Sequence, residues 1–137
     1  MPSFVRPLFY QTAEQIYRCR AFDEFTWLDH GFTTRQSAAW IEAHPLTTLR
    51  QIPSDSVWDA RGLDDRAFEG DALISDEPGK RIGVRTADCV PILLVDTVHF
   101  AVASVHAGWR GTVSGIVMQT LAAMNRAFGT EPSSLRA

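Results

Sequence analysis

Thr86-Ala87-Asp88-Cys89-Val90-Pro91-Ile92-Leu93-Leu94 and, further on, Val105-His106-Ala107-Gly108-Trp109-Arg110-Gly111 decide the fold class. Each couples an apolar run of strand character to a polar or glycine-rich turn. Cys89 stands at the end of one run and His106 at the end of another, just before a segment with helical patterning. A thiolate and an imidazole so placed can hold a transition metal or serve as nucleophile and base. Both readings describe an enzyme-like site, and these two residues leave the choice between them open.

Working outward, Val90–Val95 is apolar enough to be a strand buried on both faces. Arg81–Thr86, Val98–His106 and Ala72–Ile74 read as further strands, with Glu77-Pro78-Gly79-Lys80 as a turn. From Gly111 to Phe128, Val113, Ile116, Val117, Leu121, Met124 and Phe128 recur at helical spacing, and Gly129 is a fitting stop. In the first half, Phe4–Phe9 reads as a lead-in and Trp27–Thr33 as a strand or strand edge running into a turn. Ser37–His44 reads as a short helix, with Ser37 as its N-cap and Pro45 ending it. Thr47–Ile52 is β-prone until Pro53 interrupts it, and Val57-Trp58 resumes a strand. Residues 60–70, with Arg61, Asp64, Asp65, Arg66, Glu69 and two glycines, read as an exposed loop. No repeat, linker or low-complexity stretch interrupts the chain. The expectation is a single α/β domain over residues 1–137. Leu135-Arg136-Ala137 falls where another strand would begin, so the chain reads as the N-terminal part of a longer domain.

Composition narrows the function classes. With 137 residues the chain is long enough for one domain with its own core. A net charge of -3 offers no broad basic surface, so nucleic acid is not an expected partner. No apolar run is long enough to span a bilayer and the N-terminus lacks a signal-peptide core, so a cytoplasmic protein without a membrane partner is expected. Cys19 and Cys89 are not expected to pair in a reducing compartment.

Each candidate residue has a plain reading beside its chemical one. Cys89 is either a small buried hydrophobe or a thiol that the polar Thr-Ala-Asp turn aims into a pocket. His106 opens a loop in which Ala107, Gly108 and Gly111 allow close backbone approach to a ligand. The helix that follows favours an anion at its start, and Arg110 can grip phosphate or carboxylate with two parallel bonds. Convergence of Cys89, His106 and Arg110 on strand and helix ends favours a functional reading, since α/β proteins bind ligands there. Regular alternation puts His99 on the face opposite His106, which reads as a satisfied core or edge histidine rather than a co-ligand. His44 reads as a helix C-cap and His30 as a hydrogen-bonded structural histidine. Arg35 is an anion contact or a surface charge. Asp71 and Asp88 are either turn formers or carboxylates that orient a histidine or accept a proton.

These motifs resemble the YfiH/DUF152 family, also described as multicopper polyphenol oxidoreductase (laccase) or peptidoglycan editing factor, with purine nucleoside phosphorylases among its members. The segments that carry the resemblance are His30-Gly-Phe-Thr-Thr-Arg35, Leu49-Arg-Gln51, Gly70-Asp-Ala-Leu-Ile-Ser75, Thr86-Ala-Asp-Cys-Val-Pro-Ile-Leu93 and His106-Ala-Gly-Trp-Arg-Gly111. They occur in the family's order and cover nearly the whole chain. The resemblance implies an α/β sandwich on a mixed sheet, similar to that of toxin deamidases with a Cys/His pair. It also implies a zinc site of one cysteine and two histidines. Two ligands carry over, Cys89 and His106. The third falls in Gln51-Ile52-Pro53-Ser54, where Pro53 stands in the histidine's place. The family's domain also continues past residue 137.

The same resemblance implies phosphorolysis of purine nucleosides (adenosine, inosine, methylthioadenosine) or deamination of adenosine, with purine nucleoside and phosphate as partners. Zinc would activate water or polarise the substrate, and Arg35 and Arg110 would contact phosphate or substrate. Copper suits Cys and His ligands too. A multicopper centre needs many histidines, and this chain has four, with no His-X-His pair. The alternatives are a metal-free hydrolase or amidase in peptidoglycan editing, with Cys89 as nucleophile, His106 as base and Asp88 nearby, or a non-catalytic fragment.

Overall fold

A computed structural model describes residues 7–63 and 68–137. Two compact units are distinguished, residues 1–45 and residues 46–137.

The second unit is organised by the two strands that flank the site. Strands β5 (Val90–Asp96) and β6 (Ala101–Ala107) form an antiparallel hairpin in which Pro91 faces His106 and Leu94 faces Ala103. Its turn is held by Asp96, fully buried, whose carboxylate accepts the amides of Val98 at 2.9 Å and His99 at 3.1 Å. Burial pushes this carboxyl up, but those amides, the His99 ring at 2.8 Å and a contact with the Thr130 hydroxyl short of a full hydrogen bond outweigh it. The group is held well below the usual carboxylate range. Strand β4 (Ala72–Ser75) pairs antiparallel with β6, and β3 (Val57–Asp59) pairs parallel with β4. Strand β7 (Leu135–Arg136) joins the outer side of β5. The result is a five-stranded mixed sheet in the order β3-β4-β6-β5-β7.

Alternation along these strands sorts the side chains onto two faces. Ala72, Ile74, Leu94, Ala103 and Val105 form one face, covered by helix α3 (Ile116–Phe128) through Ile116 and Met124, both fully buried. Leu73 points the other way and packs with Leu49 and Ala60. His106, next to Val105, therefore belongs to the face that α3 does not cover.

In the first unit, β1 (Phe9–Gln11) and β2 (Tyr17–Cys19) form a short hairpin. The Cys19 amide donates to His30 Nε2 at 2.9 Å, which requires that nitrogen to be bare. Burial lowers the proton affinity of this ring and favours the same state. Helix α1 (Ala38–Ala43) ends at His44, whose Nδ1–H donates to the Trp40 carbonyl at 2.8 Å while the rings stack.

Several expectations need correction. Arg81–Thr86 is not a strand. Only Ile82 bridges Thr47, and the Gln51 side chain occupies both the N–H and the C=O of Arg85 that a neighbouring strand would use. Thr47–Ile52 likewise makes only isolated bridges. Val90, 59% exposed, shows that only the second half of β5 is buried on both faces. The 111–128 helix is two: α2 (Trp109–Val113), then α3, separated by Gly115 in the left-handed conformation at φ 81°. Residues 27–33 contribute a single bridge from Phe32 to Tyr17. Ser37 does not cap α1. Thr34 caps the 3₁₀ turn Arg35–Ser37 that leads into it, and the Ser37 hydroxyl closes that capping box. In the 60–70 loop Ala60 and Gly70 are buried at the two ends, and Asp64, Asp65 and Arg66 lie outside the described residues, as does the first half of Phe4–Phe9.

The α3–sheet contact yields a test. Met124→Ala should lose about 2–5 kcal/mol of stability through transfer and cavity terms. Met118→Ala, on the same helix but 68% exposed, should change it by less than about 0.5 kcal/mol. Urea denaturation of both variants measures the difference.

Candidate functional site

Segments of the second unit converge on a cavity of about 190 Å³. It is lined by Pro53, Ser54, Asp71, Cys89, His106, Gly108, Trp109, Arg110 and Gly111. The sheet register explains the meeting. Asp71 precedes β4 and takes the His106 amide at 2.8 Å through its carbonyl. Its carboxylate Oδ1 also accepts His106 Nδ1–H at 2.8 Å. Cys89 precedes β5, one step beyond the Val90–Ala107 pair, which brings it to Gly108.

Asp71 is 1% exposed, so its charge must be matched by donors. Three are present: His106 Nδ1–H on Oδ1, and the Ser54 amide (3.0 Å) and Ser54 hydroxyl on Oδ2. A carboxylate only accepts, so the His106 proton sits on Nδ1 and the Nε2 lone pair is left for the cavity. This is the arrangement that orients a metal-bound or basic histidine.

Gly108 makes room between the two candidate groups. A Cβ there would stand 3.4 Å from Cys89 Sγ and 3.8 Å from His106 Nε2. Both atoms therefore flank one point, and their separation cannot exceed those lengths laid end to end. Its backbone is extended (φ −73°), so glycine serves here for space rather than conformation. Gly111 has a different task. A Cβ on it would stand 3.0 Å from the Ser54 carbonyl, so its absence lets α2 lie against the Pro53-Ser54 loop. That loop is tied at both ends, by Gln51 to Arg85 and by Ser54 to Asp71.

The donor geometry bears on the chemistry. The Cys89 thiol donates to Asp88 Oδ1 at 3.8 Å. A nucleophile–base dyad brings thiol and imidazole within hydrogen-bond reach. Here the thiol bonds Asp88, and both groups line the cavity. Sγ and Nε2 are two donors suited to zinc or copper. Pro53, which stands where the third ligand was expected, lines the cavity but has no ligating side-chain atom. Among the described residues no group of three His, Cys, Asp or Glu side chains gathers to hold an ion. A zinc site of three protein ligands is one donor short in this chain.

The other sequence candidates are placed as follows. Arg110 lines the cavity, its guanidinium 5.0 Å from the Trp109 ring centre. Asp88 is exposed and bonded to Cys89. Arg35 lies in the first unit, at the start of the 3₁₀ turn before α1. His99 sits in the β5–β6 turn rather than on a regular strand and bonds Asp96. The helix expected to offer an anion its long dipole is the five-residue α2, and so short a piece carries little of one. Ser54 and Trp109 escaped the sequence reading. Ser54 follows directly on Pro53, in a turn where a small polar side chain has a use. Trp109 is a large aromatic between two glycines of a turn, where no core needs it.

The family described as "Multi-copper polyphenol oxidoreductase laccase" matches residues 30–137. A protein of Bacteroides thetaiotaomicron named "Purine nucleoside phosphorylase" is 57% identical over 60 residues, covering 44% of this chain and 22% of that one. "Adenosine deaminase RL5", from an unknown prokaryotic organism, is 52% identical over 65 residues, covering 48% of this chain and 25% of its own. The chain thus spans about a quarter of the length of these two relatives. The crystal structure of YlmD from Geobacillus stearothermophilus superposes with a TM-score of 0.75 at 24% identity over 95% of this chain and 63% of that one, a likeness of fold.

Asp71→Asn tests the carboxylate's role. An amide has one accepting oxygen for donors on two sides, so His106 Nδ1–H or the Ser54 amide must face an NH₂ group. An unsatisfied buried donor costs about 1–3 kcal/mol, and denaturant unfolding should show a loss of that size. Unchanged stability would mean that Asp71 does not bear all three bonds.

Proposed function

This chain belongs to the multi-copper polyphenol oxidoreductase laccase family, and within it we propose that the cavity around Cys89 and His106 serves phosphorolysis of purine nucleosides. The observation that supports this most is the meeting of an Asp71-oriented imidazole, a thiol and Arg110 on one cavity. The printed names of the relatives supply the substrate class. Multicopper oxidation draws no support from the ligands. His30, His44 and His99 are engaged with Cys19, Trp40 and Asp96, and only His106 lines the cavity.

In phosphorolysis a phosphate oxygen bonds to C1′ of the ribose, the C1′–N9 bond breaks, and the purine leaves with the electron pair and takes up a proton. Arg110 holds the phosphate through paired charge-assisted bonds. His106, whose neutral ring carries its proton on Nδ1 toward Asp71, accepts a hydrogen bond from a substrate hydroxyl at Nε2 and orients the sugar. Cys89 closes the side of the cavity opposite His106 across Gly108. These roles fall to side chains that line the cavity.

Zinc would supply Lewis-acid chemistry where three ligands hold it. With Cys89 and His106 alone, we propose weak binding in this chain. Calorimetric titration should show low zinc affinity for the wild type and at least about tenfold tighter binding for Pro53→His, which adds the missing donor beside the cavity. Equal affinities would overturn this.

The activity itself is tested with inosine, with and without phosphate. Hypoxanthine and ribose 1-phosphate should appear only when phosphate is present. Arg110→Ala should raise the KM for phosphate about tenfold or more, the worth of a charge-assisted bond, and leave the KM for inosine nearly unchanged. Base release independent of phosphate would refute phosphorolysis. Ammonia release from adenosine with the glycosidic bond intact would instead establish deamination.

A further inference from the structure

Trp109 is the most exposed of the chain's four tryptophans. It is 73% exposed, against 38% for Trp27 and 37% for Trp58. The others have company. Trp58 packs on Phe68 and donates its indole N–H to the Glu69 carbonyl, Trp40 stacks on His44, and Trp27 lies near Phe25. Among the described residues no aromatic ring packs on Trp109, whose recorded neighbour is the Arg110 guanidinium at 5.0 Å. A large apolar ring left open to water is unfavourable, and this one stands on the wall of the cavity that holds His106 and Cys89.

Size supports a ligand on that ring. The cavity measures about 190 Å³, below the roughly 300 Å³ at which small-molecule sites begin. It is too small for a whole nucleoside and phosphate together. Whatever binds with its polar end at Arg110 and His106 must rest its remainder on the rim, where the indole lies. A purine is flat, aromatic and little larger than an indole, so it matches that surface. Base–aromatic stacks are worth about 1–3 kcal/mol each.

We infer that Trp109 is the stacking platform for the nucleobase, with the ribose and phosphate directed inward toward His106, Cys89 and Arg110. The inference rests on the purine-nucleoside reading of the site and adds to it the surface that recognises the base. The larger π-face of a purine makes the platform favour purine over pyrimidine nucleosides. The guanidinium lies over one face of the ring at 5.0 Å, so the base takes the other face while Arg110 serves the phosphate.

Val113, 81% exposed one turn further along α2, offers the competing account of an apolar patch that docks a second copy of the chain. It does not line the cavity, so it separates the two accounts. Inosine and ribose 1-phosphate are titrated calorimetrically into the wild type, Trp109→Phe, Trp109→Ala and Val113→Ser, with sedimentation run in parallel. Trp109→Ala should weaken inosine binding roughly five- to a hundredfold and leave ribose 1-phosphate, which has no base, unchanged. Trp109→Phe should retain most of the affinity, and Val113→Ser all of it. If wild type binds inosine and Trp109→Ala binds it equally well, the platform is refuted while the purine reading stands. Failure of wild type to bind inosine at all would remove the purine reading and the platform with it. A shift in sedimentation shared by Trp109→Ala and Val113→Ser, with inosine affinity unchanged, would assign the patch to self-association instead.

Discussion

A carboxylate taken out of water has to be met by donors, and in this molecule Asp71 is met by three. Two come from Ser54 and the third from the His106 ring. Loss of one donor leaves a charge stranded at 1% exposure, a cost that exceeds what a surface contact supplies. The consequence spreads through the second unit. Ser54 is held against the sheet, Pro53 goes with it to the cavity wall, and the imidazole is fixed in ring orientation and tautomer. The residue that does this also extends the β4–β6 pairing, since its carbonyl takes the His106 amide.

Around that fixed imidazole the chain leaves space by omitting side chains. Gly108 keeps the gap between thiol and imidazole clear, and Gly111 lets α2 close on the Ser54 loop. The break at Gly115 then allows α2 to end and α3 to start along its own line over the opposite face of the sheet. Chemistry and packing are thus assigned to different faces. The core can be filled by Ile116 and Met124 while the other face, at the ends of β4, β5 and β6, gathers polar groups. Pro53 stands on the cavity wall, outside both the core and the Asp71 cluster.

Legibility in the sequence followed the range of the interactions. Strands β4, β5 and β6 and helix α3 were readable, because each carries enough apolar residues to show its period. Cys89 and His106 were readable as neighbours because both end apolar runs. The β1–β2 hairpin was not, since three residues are too few to show alternation. The false strand at Arg81–Thr86 has a sequence of strand character, but its backbone is satisfied by a side chain, Gln51, thirty-odd positions away. No local pattern reports that. Ser54 and Trp109 were missed for a similar reason. Hydroxyl and indole acquire a role only when register brings Asp71 beside the one and the cavity beside the other. The split of the long helix lay in Gly115 itself, a glycine inside a helical period whose cost was outweighed by the change of direction it permits.

The most direct measurement is the ¹⁵N NMR spectrum of the His106 ring in its neutral form, read through its long-range couplings to the ring protons. The account predicts a proton on Nδ1, held by Asp71, and a bare Nε2. A ring protonated on Nε2, with Nδ1 bare, would contradict it, because the lone pair would then face Asp71 and the cavity would have no basic nitrogen.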